Sequence, residues 1–155
     1  MHSLSRRFRI AGMAVAMLAT IAVAKPLPAS LDIVNAARTQ VGVTLQYQPA
    51  YEKMAYPNGD VPRARGVCTD VISRALRDAR GLDLQQEVHV DMAKNLSSYP
   101  KNWGAKQKLD SNIDHCRVPN LMVYFARRKL SVSGVGNGVG STQKYLTGNI
   151  VAWNL

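Results

Sequence analysis

Apolar residues return with a helical period in four stretches of the chain. Within 68–79 they are Cys68, Val71, Ile72, Ala75, Leu76 and Ala79, the i, i+3, i+4, i+7, i+8, i+11 spacing of one stripe, with Ser73, Arg74, Arg77 and Asp78 outside it. This predicts an amphipathic helix whose stripe faces the core. Gly66 precedes the segment and Gly81 closes it. Leu31, Val34, Ala37 and Arg38 predict a first helix over 30–40, capped by Ser30 and stopped at Gly42. Leu84, Val88 and Met92 predict a third over 84–96. Leu121, Met122 and Phe125, turned inward, predict a fourth over 118–129, with Pro119 near its first turn.

The segments between lack that period. Residues 43–62 are rich in Tyr, Pro, Asn and Gly, and Tyr56-Pro57-Asn58-Gly59-Asp60 is turn chemistry, so this is a surface loop with aromatic content. Residues 97–114 read as an irregular polar stretch containing Trp103-Gly104. Gly134, Gly136, Gly138 and Gly140 alternate, but no strand-turn-helix context surrounds them, so a loop is expected rather than a phosphate cradle. Ile150, Val151, Trp153 and Leu155 predict a strand over 149–155.

The beginning of the chain has a different pattern. Arg6, Arg7 and Arg9 form a basic start, 10–24 is an apolar alanine-rich run, and Ala22-Val23-Ala24 is a small-x-small cleavage pattern ahead of Lys25 and Pro26. Together they predict a secretory signal peptide over 1–24, followed by one domain over 25–155. The run is shorter than the roughly 20 apolar residues of a bilayer span, so no membrane span is expected after cleavage. No cysteine follows it to carry a lipid, and the surroundings of Arg6-Arg7 do not match a twin-arginine signal. The expected location is periplasmic or secreted.

Cleavage changes the charge. Of 20 Lys and Arg, the three arginines leave with the leader, so 17 face 10 Asp and Glu, near +7. A basic exported domain suits anionic envelope partners such as cell-wall polymers or lipid headgroups, although dispersed charge also serves solubility alone. Nucleic acid is not expected as a partner, because no nucleic-acid motif is present. Cys68 and Cys116 remain, and an oxidising compartment permits one disulfide between them.

Cys68 carries the candidate chemistry. The thiolate is the nucleophilic form of cysteine, and the first turn of a helix aims free N–H groups and the positive dipole end at a sulfur placed there. Gly66-Val67-Cys68-Thr69-Asp70 ahead of an amphipathic segment fits such a placement, and a helix-end N–H could hold an oxyanion. The structural alternative is a small core residue at the end of the apolar stripe.

Several blocks resemble one family. Tyr56-Pro57-Asn58-Gly59-Asp60-Val61-Pro62 and Arg65-Gly66-Val67-Cys68-Thr69-Asp70-Val71 are similar to the bacterial domain of unknown function 1287. Val88-His89, Asp91-Met92, Tyr99-Pro100, Trp103-Gly104, Asn112-Ile113-Asp114-His115, Arg117-Val118-Pro119-Asn120-Leu121 and Gly148-Asn149-Ile150-Val151-Ala152-Trp153 continue the likeness. The resemblance implies a distant relation to NlpC-type cysteine peptidases. It implies an α+β papain-like fold with its helical half intact and an incomplete antiparallel sheet, Cys68 as nucleophile, and a histidine on a following strand as base. Gly148-Asn149 stands where the family usually reads Gly-Asp, and the chain stops at Leu155, before the strand that carries the family's histidine. The chain therefore reads as a truncated member lacking its C-terminal strands, with little or no turnover expected.

The remaining candidates are secondary. His2 leaves with the leader; His89 reads as a structural histidine. His115 is the substitute base, since neighbouring Asp114 could fix its tautomer, with a local structural hydrogen bond as the alternative. Tyr56, ahead of Tyr47 and Tyr51, could line a cleft or assist an oxyanion, against a packing role. His89, Asp91, Asp114 and His115 lack a recognised zinc spacing, so neither metal nor cofactor is expected. Cys116 stands where the family usually has a basic residue. Three readings result: an exported cysteine amidohydrolase or peptidase acting on envelope peptides, a non-catalytic envelope or peptidoglycan binding protein, and a truncation product without function.

Overall fold

In the computed structural model the residues described are 30–101, 108–131 and 146–152. The expected leader (1–24), Trp103-Gly104, the glycine-rich stretch and Trp153 to Leu155 lie outside them. Four helices form where the apolar period predicts them: α1 (Ser30–Arg38), α2 (Cys68–Arg80), α3 (Leu84–Asn95) and α4 (Val118–Arg127). Short 3-10 turns follow α3 at Leu96–Ser98 and precede α4 at Asp114–Cys116. Among the described residues no helix is long and apolar enough to cross a membrane.

The core lies among α2, α3 and α4. Leu76, Leu84, Val88, Met92, Tyr99, Leu121 and Tyr124 are buried together, with Ile33, Ile72 and Phe125 packed against them. Tyr99 buries its ring while its hydroxyl donates to Asp91 at 2.6 Å, and the Tyr124 hydroxyl reaches Glu87 at 3.1 Å. Met122, expected inward, is exposed. Tyr124, two positions on, takes the buried place.

The α2–α3 connection is set by a glycine. Gly81 is in the left-handed region (φ 64°), and its N–H donates to the Arg77 carbonyl at 2.7 Å while that of Leu82 reaches back to Leu76 at 3.4 Å. This pair of bonds ends the helix and turns Leu82 toward the core. A Cβ at Gly81 would meet nothing within 4 Å, so Gly81→Ala isolates the backbone term. It is expected to lower stability by about 1–2 kcal/mol in urea denaturation, with Gly81→Asn losing less.

The sheet differs from expectation. β1 (Gln46–Tyr47) and β2 (Arg65–Gly66) form a two-stranded parallel ladder, pairing Gln46 with Arg65 and Tyr47 with Gly66; the antiparallel sheet is corrected to this. Parallel strands cannot be joined by a tight hairpin, and 48–64 makes the long return. That return is stitched to the start of α3. Asp83 accepts from the N–H groups of Gln85 (3.1 Å) and Asn58 (2.6 Å), and Gln85 bridges the Gly59 N–H (2.8 Å) and the Ala55 carbonyl (2.9 Å). The strand predicted over 149–155 is not seen in its described part. Ile150 and Val151 are exposed and belong to no ladder.

Candidate functional site

The start of α2 presents an exposed thiol. Cys68 is the first residue of the helix and is exposed, whereas Ala75 and Leu76 further along the same stripe are buried. Val67 at the N-cap has no side chain able to cap the first turn; Asp70 instead accepts the Val67 N–H at 2.7 Å through Oδ2. This is the return half of a capping box. Gly66 lies so close that a Cβ there would sit 2.8 Å from Asp70 Oδ2, which is why glycine occupies the position. Asp70 is buried, and burial pushes its carboxyl above the usual carboxylate range against the pull of the Val67 N–H and the Arg74 charge.

The turn of Asp114–Cys116 closes on this end of the helix. Thr69 Oγ1 donates to the Cys116 carbonyl at 3.2 Å. Cys116 Sγ lies 3.5 Å from His115 Nε2 and 3.7 Å from the Asn112 carbonyl it donates to. Burial pushes the Cys116 thiol up to about 12 and pulls His115 down to about 4, so at neutral pH both are uncharged. Neither cysteine is bonded to the other; both are free thiols. One donor atom each of Asp70, His115 and Cys116 fall within 4.8 Å of one another. The four residues considered for zinc do not form that group: Asp91 is engaged by Tyr99 and Arg127.

A second constellation lies on α3. His89 Nδ1 is 2.8 Å from Asp114 Oδ2, and the same oxygen accepts the Asp110 N–H at 3.0 Å. The Asp114 carboxylate therefore orients His89 and not its sequence neighbour His115. Burial raises the Asp114 carboxyl, and the His89 hydrogen bond opposes the rise. Tyr56 meets the His89 ring edge-on, centroids 5.3 Å apart. Among the described residues no imidazole is hydrogen-bonded to Cys68.

Beside the start of α2 opens a cleft of about 340 Å³, lined by Tyr51, Glu52, Met54, Val61, Val67, Asp70, Asn112, Cys116 and Arg117, among others; Cys68, His89, His115 and Tyr56 do not line it. Tyr51 is fixed there by Asp110 (3.1 Å) and Asn112 (2.9 Å); Tyr47 is exposed on β1. A family model described as Domain of unknown function (DUF1287) matches residues 34–155, which include every residue of this cleft.

The chain belongs to this family.

Within DUF1287, the chain is 49% identical over 126 residues to a protein of Escherichia coli (strain K12) named "Uncharacterized protein YijF". The aligned part covers 81% of this chain and 58% of the length of that relative. No solved structure matches the chain. Two features of this part of the molecule escape sequence reasoning. Asp70 carries a local signal, an acid three positions after the N-cap. The His89–Asp114 pair carries none, because 25 positions separate its members.

Proposed function

We propose that this DUF1287 chain is an exported cysteine amidohydrolase-like protein of the bacterial envelope, with Cys68 as its nucleophile and cell-wall peptide as its ligand. The supporting observation is the exposure of a first-turn thiol beside the cleft-lining Val67 and Asp70. In this reading α2 is the nucleophile helix of a papain-like, NlpC-type fold, its first-turn N–H groups hold the oxyanion, and residues 1–24 are removed on export. Iodoacetamide labelling at pH 6 tests it. Cys68 in the folded chain is expected to react about tenfold faster than in urea, with mass mapping to separate it from Cys116. Equal rates overturn the reading.

A second reading, non-catalytic binding of envelope peptides, is favoured by the placement of the histidines. The sequence holds three, and the two described ones are committed to Asp114 and to the Cys116 side of the cleft. A thiol without a base in reach is a poor amide hydrolase. Calorimetric binding of a cell-wall tetrapeptide with no release of amine over hours would select this reading over the first. In this reading His115, against Cys116, and Tyr56, against His89, have structural roles rather than roles in proton transfer.

A further inference from the structure

We propose that Asp70, His115 and Cys116 form a mononuclear zinc site with one position open to the cleft. The proposal is independent of any role for Cys68. The donor set is a carboxylate oxygen, an imidazole nitrogen and a sulfur, all within 4.8 Å of one another. Such a mixed N, O and S set suits zinc, whereas magnesium and calcium take oxygen alone.

The spacing of sulfur and nitrogen agrees with a tetrahedral ion. With Zn–S near 2.3 Å and Zn–N near 2.0–2.1 Å, the edge between sulfur and nitrogen is about 3.5 Å. Cys116 Sγ and His115 Nε2 are 3.5 Å apart. Asp70 binds the Val67 N–H through Oδ2 alone, so its other oxygen is free to turn to a metal. Once zinc has displaced the Cys116 thiol proton to solvent, two anionic donors and one neutral imidazole balance the double charge of the ion, the condition under which a buried site tolerates it.

Two further observations support this. His115 is 2% exposed, yet its Nδ1 has no partner among the described residues, and buried ring nitrogens are rarely left so. An ion at Nε2, the nitrogen that faces Cys116 Sγ, would fix a buried ring whose other nitrogen has no partner among the described residues. Asp70 and Cys116 also line the cleft, so a fourth ligand, water or a substrate oxygen, can approach. The scaffold is braced across the site by the Thr69 bond to the Cys116 carbonyl and by Asn120, which donates to the Asp114 carbonyl at 2.9 Å.

Cobalt(II) substitution tests the site in the purified full chain. The wild-type protein is expected to bind one cobalt with a sulfur-to-metal charge-transfer band, displaced by one equivalent of zinc. Because the chain has two cysteines, Cys68→Ser leaves Cys116 as its one thiol. This exposed substitution is expected to retain the band. Asp70→Asn is expected to weaken zinc binding by at least about 10-fold, as does loss of a supporting group at metal sites in general. Absence of the band in wild type or in Cys68→Ser, or unchanged zinc affinity in folded Cys116→Ser, overturns the proposal.

Discussion

Replacing Arg74 by alanine is expected to lower stability by about 3–5 kcal/mol, the range for breaking a buried charge pair from one side. Arg74 is 1% exposed in the middle of α2. Its Nε donates to both oxygens of Asp60 at 3.0 Å, Nη1 to Thr44 Oγ1 at 3.2 Å, and Nη2 to the carbonyls of Val61 and Arg65 at 3.0 Å each. One guanidinium thus holds the first strand's approach, the return loop and β2 on the helix. Removing it leaves a partly buried carboxylate with the longer Arg77 contact at 3.6 Å, and takes the donor from two carbonyls. Arg74→Lys is expected to recover little, because a single ammonium cannot reach these directions at once. Urea denaturation at pH 7 gives the loss. Since Val61 and Val67 line the cleft, the variant is also expected to be cut by trypsin within 44–66 faster than wild type. A loss under 1 kcal/mol would show that solvent replaces these bonds.

The same residue shows where sequence reading stops. The period of apolar positions finds α2 to within one residue, and Leu84, Val88 and Met92 face inward in α3 as expected. Periodicity assigns Ser73 and Arg74 to the outside, yet both are buried, and so are Thr69 and Asp70. The reason is what covers that face. Over Arg74 lies the 44–66 segment, whose Val61 and Arg65 carbonyls need donors, and over Thr69 lies the Cys116 carbonyl, so the helix meets both with polar side chains. Pattern arguments anticipate apolar partners. They miss a helix buried on one side by hydrophobic packing and on the other by hydrogen bonds. Cys68, counted as the first member of the apolar stripe, is exposed at the start of the helix. Asp114 beside His115 in sequence suggested a local pair, but in a 3-10 turn adjacent side chains diverge, and the carboxylate goes to α3.

That divergence leaves His115 neutral, with a measurable consequence for pH. With a chelator present to keep the imidazole free of metal, stability is expected to fall by about 2 kcal/mol between pH 7 and pH 5. His115 titrates at about 4 in the folded chain against an ordinary 6.5, because burial disfavours its charged form. In the window between these values the unfolded chain takes up a proton that the folded chain refuses. The stability contribution is therefore full above 6.5 and lost as pH falls toward 4. Asp70 and Asp114 act in the opposite sense, since burial raises both, so the folded state holds protons that the unfolded state releases. They gain stability as pH falls toward the ordinary carboxylate value and flatten the acid end of the curve. Asp78, Asp91 and Asp110, held low by their partners, lose stability only below about 3.8, outside the window. His115→Gln should keep the ring's volume in part, carry no titrating group, and show an urea midpoint that changes little from pH 7 to 5. A wild-type midpoint equally flat would mean that the ring is reached by water and takes its proton in the folded state, which the packing of the Asp114–Cys116 turn against α2 does not allow.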